Sequence, residues 1–261
     1  MISLTKGIIT IAIGKKYVQM AKYLAYSCML NAPHILRAVI TDNPELLNDF
    51  YDFILPYNCK DDPFSIKTRL YTFTPFYKTL YIDADSLIFH PIDEYFNSLD
   101  NYNYLYEGEK LTDGTWYFDI KNTCKIINTN WIPKFNSGML LFKKNIETEN
   151  IFSTAYYYFT NYNKENINIT SFRGNNFPDE PAFAISLAKL NIEPIIDYGR
   201  FSRTLINSKY IQLNIKKKVT KIFKNGKTMN PLIIHFCGRK GSFYYIFEKI
   251  RLFFIFHFFN Q

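Results

Sequence analysis

The chain has 261 residues, 48% of them hydrophobic and 18% aromatic, with a formal net charge of +8. That length and apolar content allow one full hydrophobic core. Four separated cysteines, Cys28, Cys59, Cys124 and Cys237, none in a Cys-x-x-Cys pair, argue against a disulfide framework or a zinc site and for buried thiols in a reducing compartment.

Charge is unevenly placed: Phe201 to Gln261 holds twelve Lys/Arg against the single acid Glu248. The remainder is mildly acidic, so the C-terminal part is expected to attract phosphates or an anionic membrane surface. No stretch reaches the roughly 18 uninterrupted apolar residues of a spanning helix. The first ten residues show neither the apolar core nor the cleavage site of a signal peptide. The expected location is cytoplasmic, peripheral on a membrane through the C-terminal segment.

In chain order, Gly7 to Ile13 reads as a buried strand and Gly14-Lys15-Lys16 as a turn. Tyr17 to Leu30 has helical spacing, with Val18, Ala21, Leu24, Ala25, Cys28 and Met29 on one face. Ile35 to Ile40 is a second buried strand. This strand–helix–strand order favours an α/β fold with a parallel sheet. Asp61-Asp-Pro63 is a loop and Phe64 to Tyr71 a short helix. Leu80-Tyr-Ile-Asp-Ala-Asp-Ser-Leu-Ile-Phe89 reads as one strand, and Asp93 to Ser98 as a short helix. Asn101 to Pro133 shows weak periodicity, compatible with strands and a mobile loop.

Phe135-Asn-Ser-Gly-Met-Leu-Leu-Phe142 is a turn running into a strand, and Asn145 to Tyr162 is helical. Asn163 to Asn176 is loop-like. A helix follows from Asp179, a natural cap, with Pro181 in its first turn. Ile192 to Ile196 and Leu232 to Phe236 are short strands, and Lys216 to Lys227 is a basic, exposed segment. Phe243 to Phe259, nine Phe/Tyr in seventeen residues, is a last helix suited to a membrane interface.

The chemistry centres on Asp83 and Asp85. On an extended backbone, residues two apart share a face. Two carboxylates so placed repel and call for a cation, and oxygen ligands suit Mg²⁺ or Mn²⁺.

Together these segments resemble a nucleotide-sugar glycosyltransferase of the type A fold, near the glycogenin and bacterial lipopolysaccharide galactosyltransferase-like branch. Five elements stand in the family's order: Ile11 to Tyr17, Lys67 or Arg69, Leu80 to Asp85, Phe135 to Phe142, and Asp179-Glu180 with the late His235-Phe-Cys-Gly238-Arg-Lys240. The resemblance implies a single Rossmann-like domain over residues 1–242, with a mixed, mainly parallel sheet flanked by helices, and a C-terminal helix over 243–261. It implies a nucleotide-diphosphate sugar donor, UDP-sugar favoured, a hexosyl group transferred to a glycan, lipid or protein acceptor, Mn²⁺ or Mg²⁺ as cofactor, and no nucleic-acid partner.

By the same resemblance Asp83, Asp85 and His235 hold the metal. Ala12, Ile13, Tyr17, Lys67, Arg69, Ala84, Asn136, Ser137, Gly138, Gly238 and Lys240 bind the donor, and Asp179, Glu180 and Asn136 act at the transferred sugar. Gly14 stands where the branch carries a base-contacting acid, and Lys240 follows Gly238 by two residues instead of three, so base and stereochemistry stay open. Two other readings compete. One is an inactive nucleotide- or glycan-binding protein of the same fold. The other is an Asp-x-Asp phosphatase, for which the late Gly-Asp pair is missing.

Overall fold

A computed structural model describes residues 5–57, 62–169 and 177–258. Residues 1–4, Cys59, Asp61, the end of the Asn163 to Asn176 loop and the last three residues lie outside that description. The first half of the chain forms β1 (Lys6–Ala12), α1 (Lys15–Asn31), β2 (Leu36–Thr41), β3 (Phe53–Pro56), α2 (Pro63–Thr68), α3 (Leu70–Phe73), β4 (Lys78–Ile82), β5 (Ser86–Ile88), α4 (Asp93–Ser98), β6 (Tyr104–Leu105), β7 (Gly108–Leu111) and α5 (Ile120–Ile127). The second half forms β8 (Ile132–Phe135), β9 (Met139–Lys143), α6 (Ile146–Asn161), α7 (Glu180–Lys189), β10 (Ser202–Thr204), β11 (Tyr210–Asn214), β12 (Val219–Lys224), β13 (Lys227–Met229), β14 (Ile233–His235) and α8 (Gly238–Phe258).

The main sheet has six strands in the order β3-β2-β1-β4-β9-β6. β2 runs parallel to both β1 and β3, and β6 antiparallel to β9. The fold is α/β with a mixed, mainly parallel central sheet. Parallel strands are covered on both faces, which is why Gly7 to Ile13 reads as an uninterrupted apolar run.

The chain divides into two compact units, one of Cys59–Thr79 and Leu99–Ile196 with Met1–Ser3, the other of Leu4–Asn58, Leu80–Ser98 and Asp197–Gln261. In the second unit, α1 buries Val18, Ala21, Leu24, Ala25 and Cys28, the predicted face. One core cluster joins Ala12, Val18, Ala21, Val39, Tyr51 and Ala84. Another joins Leu87, Phe89, Leu213, Ile215, Phe236 and Tyr245. Here α8 is tied down by the buried Glu248 carboxylate, which accepts the Ile215 amide at 2.8 Å and pairs with Arg251. Glu248→Ala would leave that amide unsatisfied, so a loss of about 1–3 kcal/mol is expected, measurable as a lower urea midpoint.

In the first unit, α7 buries every residue from Pro181 to Ala188. It packs on α6, where the Ser186 hydroxyl donates to the Ile151 carbonyl at 2.7 Å.

Several expectations are corrected. Leu80 to Phe89 is two strands, not one. Ile192 to Ile196 forms no strand, only a bridge between Ile195 and Glu107. The basic segment Lys216 to Lys227 is exposed at most of its lysines, but it also contains β12, the middle strand of the antiparallel sheet β11-β12-β13. Its alternation, with Thr220 and Ile222 buried and Lys221 exposed, was hidden by lysine-rich turns. The weakly periodic Asn101 to Pro133 contains α5, capped by the Asp119 carboxylate on the Asn122 amide at 2.6 Å.

Candidate functional site

The second unit carries a cluster of Asp83, Asp85 and His235, whose ligand atoms all lie within 4.8 Å of one another. β4 ends at Ile82 and β5 starts at Ser86. The aspartates therefore sit in the connecting turn, closed by the Ser86 amide on the Asp83 carbonyl at 3.0 Å. The carboxylates converge because the chain reverses, not because a strand alternates. β14 pairs antiparallel with β5, His235 opposite Ser86, and the Phe236 amide donates to the Asp85 carbonyl at 2.9 Å. That pairing brings His235 Nε2 to 3.1 Å from Asp85 and 3.6 Å from Asp83. The Tyr81 hydroxyl donates to Asp83 Oδ1 at 2.5 Å, so it fixes the orientation of that carboxylate from within the same unit.

Other predicted residues of this unit sit around the end of β1 and start of α1, in the aspartate turn and at the start of α8. Ala12 is buried at the end of β1, Tyr17 lies exposed in α1, and Ala84 is buried between the two aspartates. Ile13 is half-buried. Gly14 caps α1 at φ +82°, a left-handed conformation open to glycine. Its amide donates to both carboxylate oxygens of Asp42, at 3.1 and 3.0 Å. The first turn thus has a carboxylate after all, supplied from the end of β2. Gly238 starts α8 at φ +75°, and the Lys240 ammonium donates to the Ser208 carbonyl at 2.6 Å.

The first unit carries a second cluster. Lys67 and Asp179, both buried, form an ion pair at 3.2 Å, and the Lys67 ammonium lies 3.4 Å from the Ser137 carbonyl. Asp179 precedes α7 but makes no side-chain cap, because its carboxylate is engaged by Lys67. Glu180 accepts the Ser137 amide at 3.1 Å, the Asn136 side-chain amide at 3.2 Å and the Tyr117 hydroxyl at 3.1 Å. Asn136 also accepts the Gly138 amide at 3.2 Å, holding the turn that precedes β9. Arg69 stands apart, 3.5 Å from the Ser65 hydroxyl and over the Tyr156 ring.

Desolvation pushes the Glu180 carboxyl up to about 7, with Asp179 adding to the rise against the lowering hydrogen bonds from Ser137 and Tyr117. Its ordinary value is 4.5, so between these limits the folded state binds more protons than the unfolded one. Stability is therefore expected to fall as pH rises from about 4.5 to about 7. Glu180→Gln should flatten that slope in urea titrations at stepped pH, and a slope unchanged in the variant would assign it to another group.

Tyr81, Tyr117 and Asp42 were not anticipated. Tyr81 could have been, since it stands two residues before Asp83. Tyr117, in the aperiodic middle, and Asp42, 28 residues from its partner Gly14, carried no local signal.

The comparisons bear on the fold. No protein-family model matches the sequence, and no curated protein matches it. Among solved structures, the galactosyltransferase LgtC in complex with donor and acceptor sugar analogues is similar, with a TM-score of 0.60 at 14% identity over 94% of each chain. The mouse xyloside xylosyltransferase 1, apo form, gives a TM-score of 0.53 at 12% identity over 90% of this chain and 98% of that one. The bifunctional glycosyltransferase WbbM gives 0.56 at 10% identity, covering 95% of this chain and 49% of that one. The chain has the type A glycosyltransferase fold. At these identities the likeness speaks to architecture, and the side chains must argue the chemistry.

Proposed function

We propose that the protein is a divalent-metal-dependent glycosyltransferase that moves a sugar from a nucleotide-diphosphate donor, UDP-sugar favoured, to a glycan acceptor. The cluster of Asp83, Asp85 and His235 on a type A fold carries this reading. Two carboxylates and an imidazole within 4.8 Å form an oxygen–oxygen–nitrogen set that fits Mn²⁺ or Mg²⁺. Bound there, the ion would neutralise charge on a leaving diphosphate.

In this reading Asp83, Asp85 and His235 hold the ion, and Tyr81 orients Asp83. Ala12, Ile13 and Tyr17 contact the nucleotide, while Gly238 and Lys240 contact phosphate. Lys67 holds Asp179 in place, and Asp179 and Asn136 hold sugar hydroxyls. Glu180, whose carboxyl titrates near neutrality, is the group suited to accept the acceptor's proton if the transfer inverts.

Release of nucleoside diphosphate from a panel of nucleotide sugars, with and without EDTA, tests the reading. One donor should be consumed only with Mn²⁺ or Mg²⁺, faster when a glycan acceptor is added. Consumption unaffected by EDTA would contradict the metal role. Nucleotide binding without any release would favour the inactive binding protein.

A further inference from the structure

In the first unit, helices α6 and α7 leave a groove between them that the transfer chemistry does not use. The Ser186 hydroxyl on the Ile151 carbonyl locks the two helices together, so the groove is preformed. It has a volume of about 320 Å³ and is lined by Ser153, Thr154, Tyr157, Tyr158 and Lys189, within the size range of small-molecule sites. Glu180 opens α7 and Lys189 closes it, about 14 Å apart along the helix axis. The groove therefore belongs to the end of α7 remote from the Glu180 cluster.

Tyr158 is only 4% exposed, yet its hydroxyl makes no hydrogen bond among the described residues. A phenol so placed needs a partner from outside the protein, and its position in the groove lining gives one access. Water alone could fill that role, but the ring beside it is also prepared. Tyr157 is 48% exposed, meets the Tyr158 ring edge-on at 5.3 Å and 87°, and donates its hydroxyl to Glu165. That ring is held at both ends and still offers aromatic surface to the groove. The Ser153 hydroxyl donates to the Asn150 carbonyl at 3.2 Å, which leaves its oxygen to accept. Lys189 is exposed and makes no ion pair among the described residues. No carboxylate is among the lining residues.

A sugar ring has an apolar C–H face and a rim of hydroxyls that both donate and accept. The groove offers the matching set: an immobilised aromatic ring, hydroxyls that do the same, and an ammonium that donates only. We propose that it is a second glycan-binding site, which holds a sugar of the acceptor chain away from the one being modified. Tyr157 carries the ring by stacking, while Tyr158 and Lys189 bond its hydroxyls. The site's part in transfer rests on the glycosyltransferase reading above, whereas glycan binding in the groove needs neither donor nor metal.

Binding of the full chain to an array of neutral and acidic oligosaccharides, in EDTA and without donor, tests it. Wild type should retain at least one oligosaccharide, and so should Asn136→Ala, which alters the transfer site. Tyr157→Ala should weaken that binding about tenfold. Tyr158→Phe should weaken it about threefold at unchanged melting temperature, because the lost hydroxyl has no partner among the described residues. In a transfer assay, Tyr157→Ala should raise KM for long acceptors and leave kcat, and KM for short acceptors, as in wild type. Failure of wild type to retain any oligosaccharide would overturn the proposal, as would equal retention by wild type and Tyr157→Ala. So would binding lost in Asn136→Ala but kept in Tyr157→Ala, or displacement of the bound oligosaccharide by UDP. Retention that depends on Tyr157 in a protein showing no transfer at all would contradict the transferase reading and leave the groove as a glycan site.

Discussion

Asp85→Asn is expected to cut donor turnover by about 10²–10³-fold, the loss typical when one preorganised electrostatic group is removed. Asparagine keeps the size of the side chain and one oxygen, so the turn between β4 and β5 should persist. What disappears is one of the two charges that would hold a divalent ion. Because Asp83 and Asp85 offer oxygens within 4.8 Å of each other, removing one charge also relieves repulsion. The metal-free variant should therefore melt no lower than wild type, while stabilisation by Mn²⁺ should vanish. Tyr81→Phe, which removes the hydrogen bond to Asp83 but no charge, should cost about 10–100-fold. A steady-state assay over a range of Mn²⁺ concentrations separates the two. Near wild-type turnover in Asp85→Asn would remove the metal cluster from the account.

Lys67→Ala is expected to destabilise the first unit by about 3–5 kcal/mol. Lys67 and Asp179 are both buried and 3.2 Å apart, so removing the cation strands a carboxylate away from water. The net worth of the pair is smaller than the cost of breaking it. Lys67→Met combined with Asp179→Leu should therefore recover most of the stability without recovering activity. Urea unfolding of Lys67→Met, Asp179→Leu and the double variant gives the coupling directly. A loss below about 1 kcal/mol in Lys67→Ala, the range of an exposed pair, would show that solvent reaches the site.

Where one residue type had one job, the sequence was readable. The apolar run of β1 and the face of α1 came directly from periodicity, and the first unit's Asn136, Asp179 and Glu180 came from a resemblance. Asp83, Asp85 and His235 do cluster, but Asp83 and Asp85 meet through a tight turn and not along one strand, which a run of β-favouring residues on both sides conceals. Asp179 looked like a helix cap because it stands just before a helix with Pro181 in its first turn, and only the long-range pairing with Lys67 shows its carboxylate engaged elsewhere. The lysine-rich hairpin was invisible because few of its residues face inward. Tyr117 on Glu180 and Asp42 on Gly14 depend on chain crossings that no local pattern encodes.

The cluster of Asp83, Asp85 and His235 is proposed to recruit a divalent ion for a nucleotide-diphosphate donor. Thermal unfolding with UDP, GDP, CDP and dTDP, each with and without Mn²⁺, on wild type and Asp85→Asn, tests it most directly. A ligand at a hundred times its dissociation constant adds about 2.7 kcal/mol of stability, a clear rise in melting temperature. One nucleotide, UDP first, is expected to raise the wild-type melting temperature only with Mn²⁺ and to leave Asp85→Asn unmoved. A nucleotide shift of equal size without metal, or in the variant, would contradict it.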